Sequence, residues 1–177
     1  MPEEIEVPTE HLHEKMEEEA HHGGKWIARV AVSSALLAVC AAISALLAGH
    51  YANDAILEEM KATDQWALFQ AKGIKRELVA NKIETLKALD KPTTPADEAE
   101  LKRYEEDKTK TKEQAEELEK ESDAHMQHHN AFAHAVTLFQ IAIALGAIAV
   151  LAKRPRLWFV SLGSGAVGLV FLVQGLV

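Results

Sequence analysis

Three apolar stretches, Ile27–Gly49, Phe132–Ala152 and Leu157–Val177, interrupt a chain that is otherwise strongly polar. Each holds roughly 20 mostly apolar residues, enough at ~1.5 Å rise per residue to cover a hydrocarbon core of ~30 Å. Few ionisable side chains fall inside them; Arg29 and His134 do, both close to an end. Between the first and second stretches the pattern changes completely. Residues 50–90 are rich in good helix formers, with no proline and the single glycine Gly73. The run 91–96, KPTTPA, is the one strong breaker. Thr94-Pro95 followed by Asp97 and Glu98 reads as a cap, a first-turn proline and an acidic first turn. A second helical run follows to about 131.

These elements predict an all-α integral membrane protein with three transmembrane helices. A long antiparallel, coiled-coil-like hairpin stands between the first and second of them. The expected layout is an acidic, His-containing tail at 1–24 and a first span at 25–49. A charged hairpin follows at 50–131, turning at 91–96, then a second span at 132–152. A basic loop at 153–156 leads to a third span at 157–177. Positions 101, 104, 108, 111, 115, 118, 122, 125, 129 and 132 keep a strict 3–4 alternation along the second arm, the spacing of a helix–helix seam. Pairing positions whose numbers sum to about 187 sets Leu86 against Leu101, Ile83 against Tyr104 and Phe69 against Leu118. Lys108, Thr111 and Ser122 dilute that seam. The hairpin is therefore expected to draw stability from its membrane anchors or from other copies of the chain.

The net charge of −8 is unevenly spread. Residues 1–24 carry eight Glu and one Lys, whereas Lys25, Arg29, Lys153, Arg154 and Arg156 lie beside the apolar stretches. Lys and Arg near span ends resist translocation, so this distribution predicts a cytoplasmic N-terminus and a cytoplasmic 153–156 loop. The hairpin is then extracytoplasmic. Trp26, Trp158 and Phe159 at one boundary and Tyr51 at the other fit an aromatic belt. The lipid bilayer is thus the first expected partner. Nucleic acid is not expected, because its binding needs a net basic face. The 24 hydrophilic residues before a core of about 22 favour an uncleaved anchor over a cleaved signal. Cys40, the sole cysteine, lies mid-span and says nothing about redox compartment.

Candidate interaction residues are of two kinds. Trp66, Phe69 and Leu118 place large apolar groups in a charged segment, either as seam packing or as a contact between copies. Small residues line each span: Ser34, Ala38, Ala41, Ala45 and Gly49 in the first, Ala135, Ala142, Gly146 and Ala149 in the second, Gly163, Gly165, Gly168 and Gly175 in the third. Small faces let helices approach closely in lipid, so Ala38, Ala45 and Gly146 are expected at helix contacts and a homo-oligomer is expected overall. Gln140, mid-span, is expected to find a hydrogen bond, to Ser44 or to a carbonyl of the first span.

Nine histidines are many for this length. His11, His13, His21 and His22 lie in the tail, where Thr9 can cap a short helix. His50, His125, His128, His129 and His134 gather near the foot of the hairpin, with Glu58 and Glu59 set opposite His129 and His128 by the same register. His125 and His129, with His128 and His50, form a possible Zn²⁺ or Cu²⁺ site. The plainer reading is that these rings bond carbonyls and headgroups. No Ser–His–Asp setting, glycine elbow or phosphate loop occurs, and no carboxylate or lysine occupies a bilayer midplane. Neither an enzyme nor a proton-coupled transporter is expected, and no cofactor is implied.

Several runs resemble a known family: VPTEHLHE at 7–14, ALLAGHYANDA at 45–55, DQWALFQAKGIK at 64–75, VTLFQ at 136–140 and the closing WFVSLGSGAVGLVFLVQG. Together they resemble the bacterial membrane-protein family called domain of unknown function 4337. The resemblance implies a bacterial inner-membrane location and supplies no activity, cofactor or site. The function expected is non-enzymatic: a multi-pass membrane protein that self-associates or binds partners through its hairpin. The alternative is a small metal- or solute-handling membrane protein using the His/carboxylate cluster.

Overall fold

The structure is a computed structural model that describes residues 24–177. The tail residues named above, Thr9, His11, His13, His21 and His22, lie outside the described residues. Within them are three helices and no strand: α1 (Lys25–Ala88), α2 (Pro95–Leu151) and α3 (Pro155–Leu176). All three contain a stretch long and apolar enough to cross a bilayer.

Both connections use one stereochemical device. α1 ends where Asp90 turns left-handed (φ 52°) and the Lys91 N–H reaches back to the Leu86 carbonyl at 2.9 Å. α2 ends where Lys153 does the same (φ 51°) and the Arg154 N–H reaches the Ala149 carbonyl at 3.0 Å. Each is a six-to-one helix-closing bond with a non-glycine residue in the left-handed position. A proline then starts the next helix, Pro95 in α2 and Pro155 in α3. Proline serves there because the first helical N–H has no partner anyway. At Thr94 the expected cap is present and reciprocal. The Asp97 N–H donates to Thr94 Oγ1 (3.3 Å), while the Thr94 N–H and Oγ1–H donate to Asp97 Oδ2 (3.2 and 2.7 Å).

The chain divides into two compact units, one of Asn53–His125 and one joining the described residues up to Ala52 with Met126–Val177. The second of these is tightly packed. α1 buries Ile27, Val30, Ser34, Ala41, Ser44 and Ala48, a 3–4 alternation completed by half-buried Leu37. That differs from the expected face. Ala45 and Gly49 are exposed and Ala38 is half-buried, because a 4–3–4–4 stripe drifts around the helix relative to a 3–4 alternation. α2 buries Phe132, Ala135, Phe139, Ala142, Gly146 and Ala149, as its small-residue pattern anticipates. α3 buries Gly165, Gly168 and Gly175 and exposes Gly163.

Glycine at 168 and 175 has a direct geometric reason. A Cβ on Gly168 would lie 2.9 Å from Phe139 Cε1, and one on Gly175 would lie 2.9 Å from the Phe132 ring. Both rings are fully buried, and in a close-packed interior a displaced ring must push its neighbours aside. Serine hydroxyls add hydrogen bonds to helix carbonyls, Ser161 to Ala142 (2.6 Å) and Ser164 to Leu138 (3.0 Å). Ser44 donates to Cys40 of its own helix (2.8 Å). The Ser44 proton thus goes to an i−4 carbonyl within easy reach and is not donated to Gln140.

Candidate functional site

The Asn53–His125 unit is held by a thin and largely polar seam. Its buried apolar residues are Ala55, Ala62, Ile83 and Ala115, joined by Thr111, Ser122 and Asp97. The positions expected to face inward on α2 in this unit, 101, 104, 108, 111, 115, 118, 122 and 125, are all buried or half-buried. Their partners differ from expectation. Lys82 Nζ bonds Asp97 (2.7 Å), Arg76 Nε bonds Glu105 (2.6 Å) and Lys72 Nζ bonds Thr111 Oγ1 (2.7 Å). Ser122 Oγ donates to the Ala55 carbonyl (2.9 Å). These pairs lie about one heptad from the predicted register. Sliding by a heptad returns the same faces to contact, so the apolar pattern does not distinguish the two. The left-handed Asp90 closes α1 early and moves the pivot toward the N-terminus.

Trp66 and Phe69 face into this seam, both half-buried. The Trp66 indole N–H donates to Glu119 Oε1 at 2.7 Å, and its ring meets Phe69 edge-on at 5.4 Å and 87°. Lys108 Nζ sits 5.0 Å from the Phe69 ring centre, where Leu118 had been expected. Leu118 is itself half-buried. All three candidate residues thus belong to the inner side of the unit.

Three side chains here are electrostatically perturbed. The hydrogen bond from Lys82, reinforced by Thr94, holds the Asp97 carboxyl at about 2, below its usual 3.8. The same bond raises Lys82, and hydrogen bonds to Glu105 and then Glu77 raise Arg76. The ionised states are the folded states. Nothing in these shifts poises a group for proton transfer near neutral pH.

The opposite side of α1 in this unit is unlike any other polar surface described. Ile56, Leu57, Met60, Leu68, Ile74 and Leu78 are exposed, Ile74 and Leu78 at 63% and 64%. α2 exposes no large hydrophobic between residues 95 and 125 and shows lysine, arginine and glutamate there instead. This apolar stripe shares its helix with the face that meets α2, so the two patterns overlap in the sequence. Its clearest signal in the sequence is Ala67, Ala71, Ile74 and Leu78, which recur at 4–3–4 spacing on another face of the same helix.

The histidines are placed by backbone oxygen. In the unit containing α3, His128 Nδ1 lies 2.9 Å from the Gly175 carbonyl and His129 Nδ1 lies 2.9 Å from the Ala48 carbonyl. A carbonyl only accepts, so Nδ1 carries the proton in both rings. The Gly175 oxygen belongs to the last turn of α3, where carbonyls lack helical partners, and His128 supplies one. Tyr51 stacks on His128 (4.9 Å) and on Phe132 (5.6 Å), with His50 beside it at 5.7 Å. His125 belongs to the other unit. Glu58, expected to face His129, pairs with Lys61 at 2.8 Å. Among the described residues no group of three or more His, Cys, Asp or Glu side chains is disposed to share a metal ion.

The remaining candidates fall as follows. Gly146 is enclosed within the chain, where a Cβ would lie 3.0 Å from the Ser34 hydroxyl, so its small size serves internal packing. Lys153, Arg154 and Arg156 are exposed in and beside the α2–α3 turn. Ala45 is free of internal packing and Ala38 half so.

Comparison with curated proteins and with solved structures yields no match. The description Domain of unknown function (DUF4337) matches residues 26–177, all of α1, α2 and α3 but the first residue, and the chain therefore belongs to that family.

Proposed function

We propose that this is a non-enzymatic, multi-pass membrane protein of the bacterial inner membrane whose antiparallel, coiled-coil-like helical hairpin mediates self-association. One observation carries the reading. α1, α2 and α3 each hold a bilayer-length apolar stretch, and those stretches turn large side chains such as Val32, Leu36, Leu46, Phe159 and Val170 outward. In water that surface would be a severe liability, and in lipid it is the solvent-facing side.

The family carries no assigned activity. Contacts that run in opposite sequence order, from Lys82–Asp97 to Ser122–Ala55, support the hairpin. Its shortage of buried apolar groups supports reinforcement from further copies. Lys153, Arg154 and Arg156 favour a cytoplasmic α2–α3 turn and an extracytoplasmic hairpin.

The test is the native mass of the full chain in detergent micelles and lipid nanodiscs. More than one copy per particle is expected, with the protein resisting alkaline extraction from membranes. A single copy in both media would refute self-association, and release into the alkaline supernatant would refute membrane residence.

A further inference from the structure

The exposed stripe on α1 has the composition of a helix–helix interface. Between residues 67 and 81 the outward positions Ala67, Ala71, Ile74, Leu78 and Asn81 recur at 4–3–4–3 spacing. That is a heptad with Ala71 and Leu78 at a, and Ala67, Ile74 and Asn81 at d. Asp64 and Thr63 end it on the N-terminal side. A groove of about 530 Å³ runs along the flank toward α2, lined by Phe69, Gln70, Gly73, Glu77, Leu78 and Lys108.

The flanking charges name the occupant. Lys75 and Lys82 fall at e, Gln70 and Glu77 at g. In a parallel pair each g position lies beside the e position five residues later in the other helix. Gln70 then meets the second copy's Lys75, and Glu77 meets the second copy's Lys82. In an antiparallel pair e faces e, which would crowd the lysines together. Lys82 already holds Asp97 yet keeps 59% of its side chain exposed, and Glu77 keeps 61%. An ammonium has three donors, so a second acceptor can be accommodated. Copies inserted in one membrane share one orientation, and symmetric copies of α1 about the membrane normal run parallel. The charge pattern selects the same sense.

We infer that α1 residues 67–81 form a parallel seam with the same segment of a second copy, side chains Ala71, Ile74 and Leu78 meeting their equivalents across a two-fold axis. The inference rests on the membrane reading above, which supplies the common orientation. It identifies the partner as this chain and the contact as the far face of α1 from the Trp66–Phe69 side.

Single cysteines in a Cys40→Ala background test it with the full chain in liposomes. Ala71→Cys is expected to form disulfide-linked dimers several-fold faster than Glu106→Cys, which sits on the charged outer side of α2. Gln70→Lys sets like charges against each other twice per dimer and is expected to weaken dimerisation roughly fivefold. Adding Lys75→Glu to that variant restores it. Equal cross-linking at the two sites, or no rescue by Lys75→Glu, overturns the seam. Absent Ala71→Cys cross-linking with an oligomeric native mass overturns the seam alone and moves association elsewhere. A single-copy mass overturns both this inference and the self-association reading.

Discussion

The two units of this protein solve helix packing with opposite materials. The unit containing α3 relies on shape: two fully buried phenylalanine rings, Phe132 and Phe139, lie against glycines too small to repel them. The Asn53–His125 unit has one large buried aliphatic, Ile83, and otherwise relies on alanine, hydroxyls and ions. Close packing by small residues is what lipid rewards, since apolar area alone drives little association there. A helical pair in water has the apolar driving force, yet α1 of the Asn53–His125 unit leaves six large hydrophobics exposed. The unit containing α3 buries its aromatic rings within one chain, whereas the Asn53–His125 unit keeps most of its large aliphatics exposed on α1.

The largest effect that separates these materials should come from adding a single methyl group. Gly168→Ala puts a Cβ 2.9–3.0 Å from two Phe139 ring atoms and 3.3 Å from Leu138 Cβ. Overpacking of this kind costs about 1–3 kcal/mol. Gly163, on the same helix, has nothing within 4 Å of its would-be Cβ, so Gly163→Ala should leave stability unchanged or raise it. Unfolding of both variants in mixed micelles provides the check. Equal midpoints would show that ring–glycine contact does not hold this unit together.

The polar unit should be most sensitive at its turn. Thr94 exchanges hydrogen bonds with Asp97, and that reciprocal cap orients the start of α2. Thr94→Ala is expected to cost about 1 kcal/mol, with faster amide exchange in the first turn of α2 and unchanged exchange around Phe139. Loss of protection at both places would mean that the two units unfold as one.

What the sequence displayed and what it concealed divide along a physical line. Apolar length revealed the three helical stretches long and apolar enough to cross a bilayer, and Lys91–Ala96 marked the turn because proline and a capping threonine act locally. The inward face of α2 was legible because side-chain spacing determines which residues share a face. Register was not legible, since a heptad slide preserves every face and the stop at Ala88 comes from Asp90, with no glycine to flag it. The partners of His128 and His129 were hidden for another reason. They are backbone carbonyls of Gly175 and Ala48, and a carbonyl looks the same at every position. The outward stripe at 67–81 was written in the chain all along. One helix carries two alternations, and each masks the other in the linear sequence.

The smallest effect concerns acid. Asp97 is held at about 2 by Lys82 and Thr94, against an ordinary 3.8, so folding favours its ionised form. That contribution is complete above the ordinary value and is lost as pH falls from there toward 2. Lys82 works in the other direction: its raised value means support that persists below its ordinary range and fades only in strong alkali. The Lys82 side chain is mostly solvent-exposed, so water and salt screen the pair and keep the effect modest. Unfolding midpoints of the full chain at constant ionic strength should therefore decline between pH 4 and pH 2. Asp97→Asn should start lower and decline less over that interval. Because the described residues up to Ala52 and Met126–Val177 hold no Asp or Glu side chain, exchange protection around α3 should stay level over the same range, separating the ionic unit from the packed one. An unaltered decline in Asp97→Asn would place the acid sensitivity on some other carboxylate.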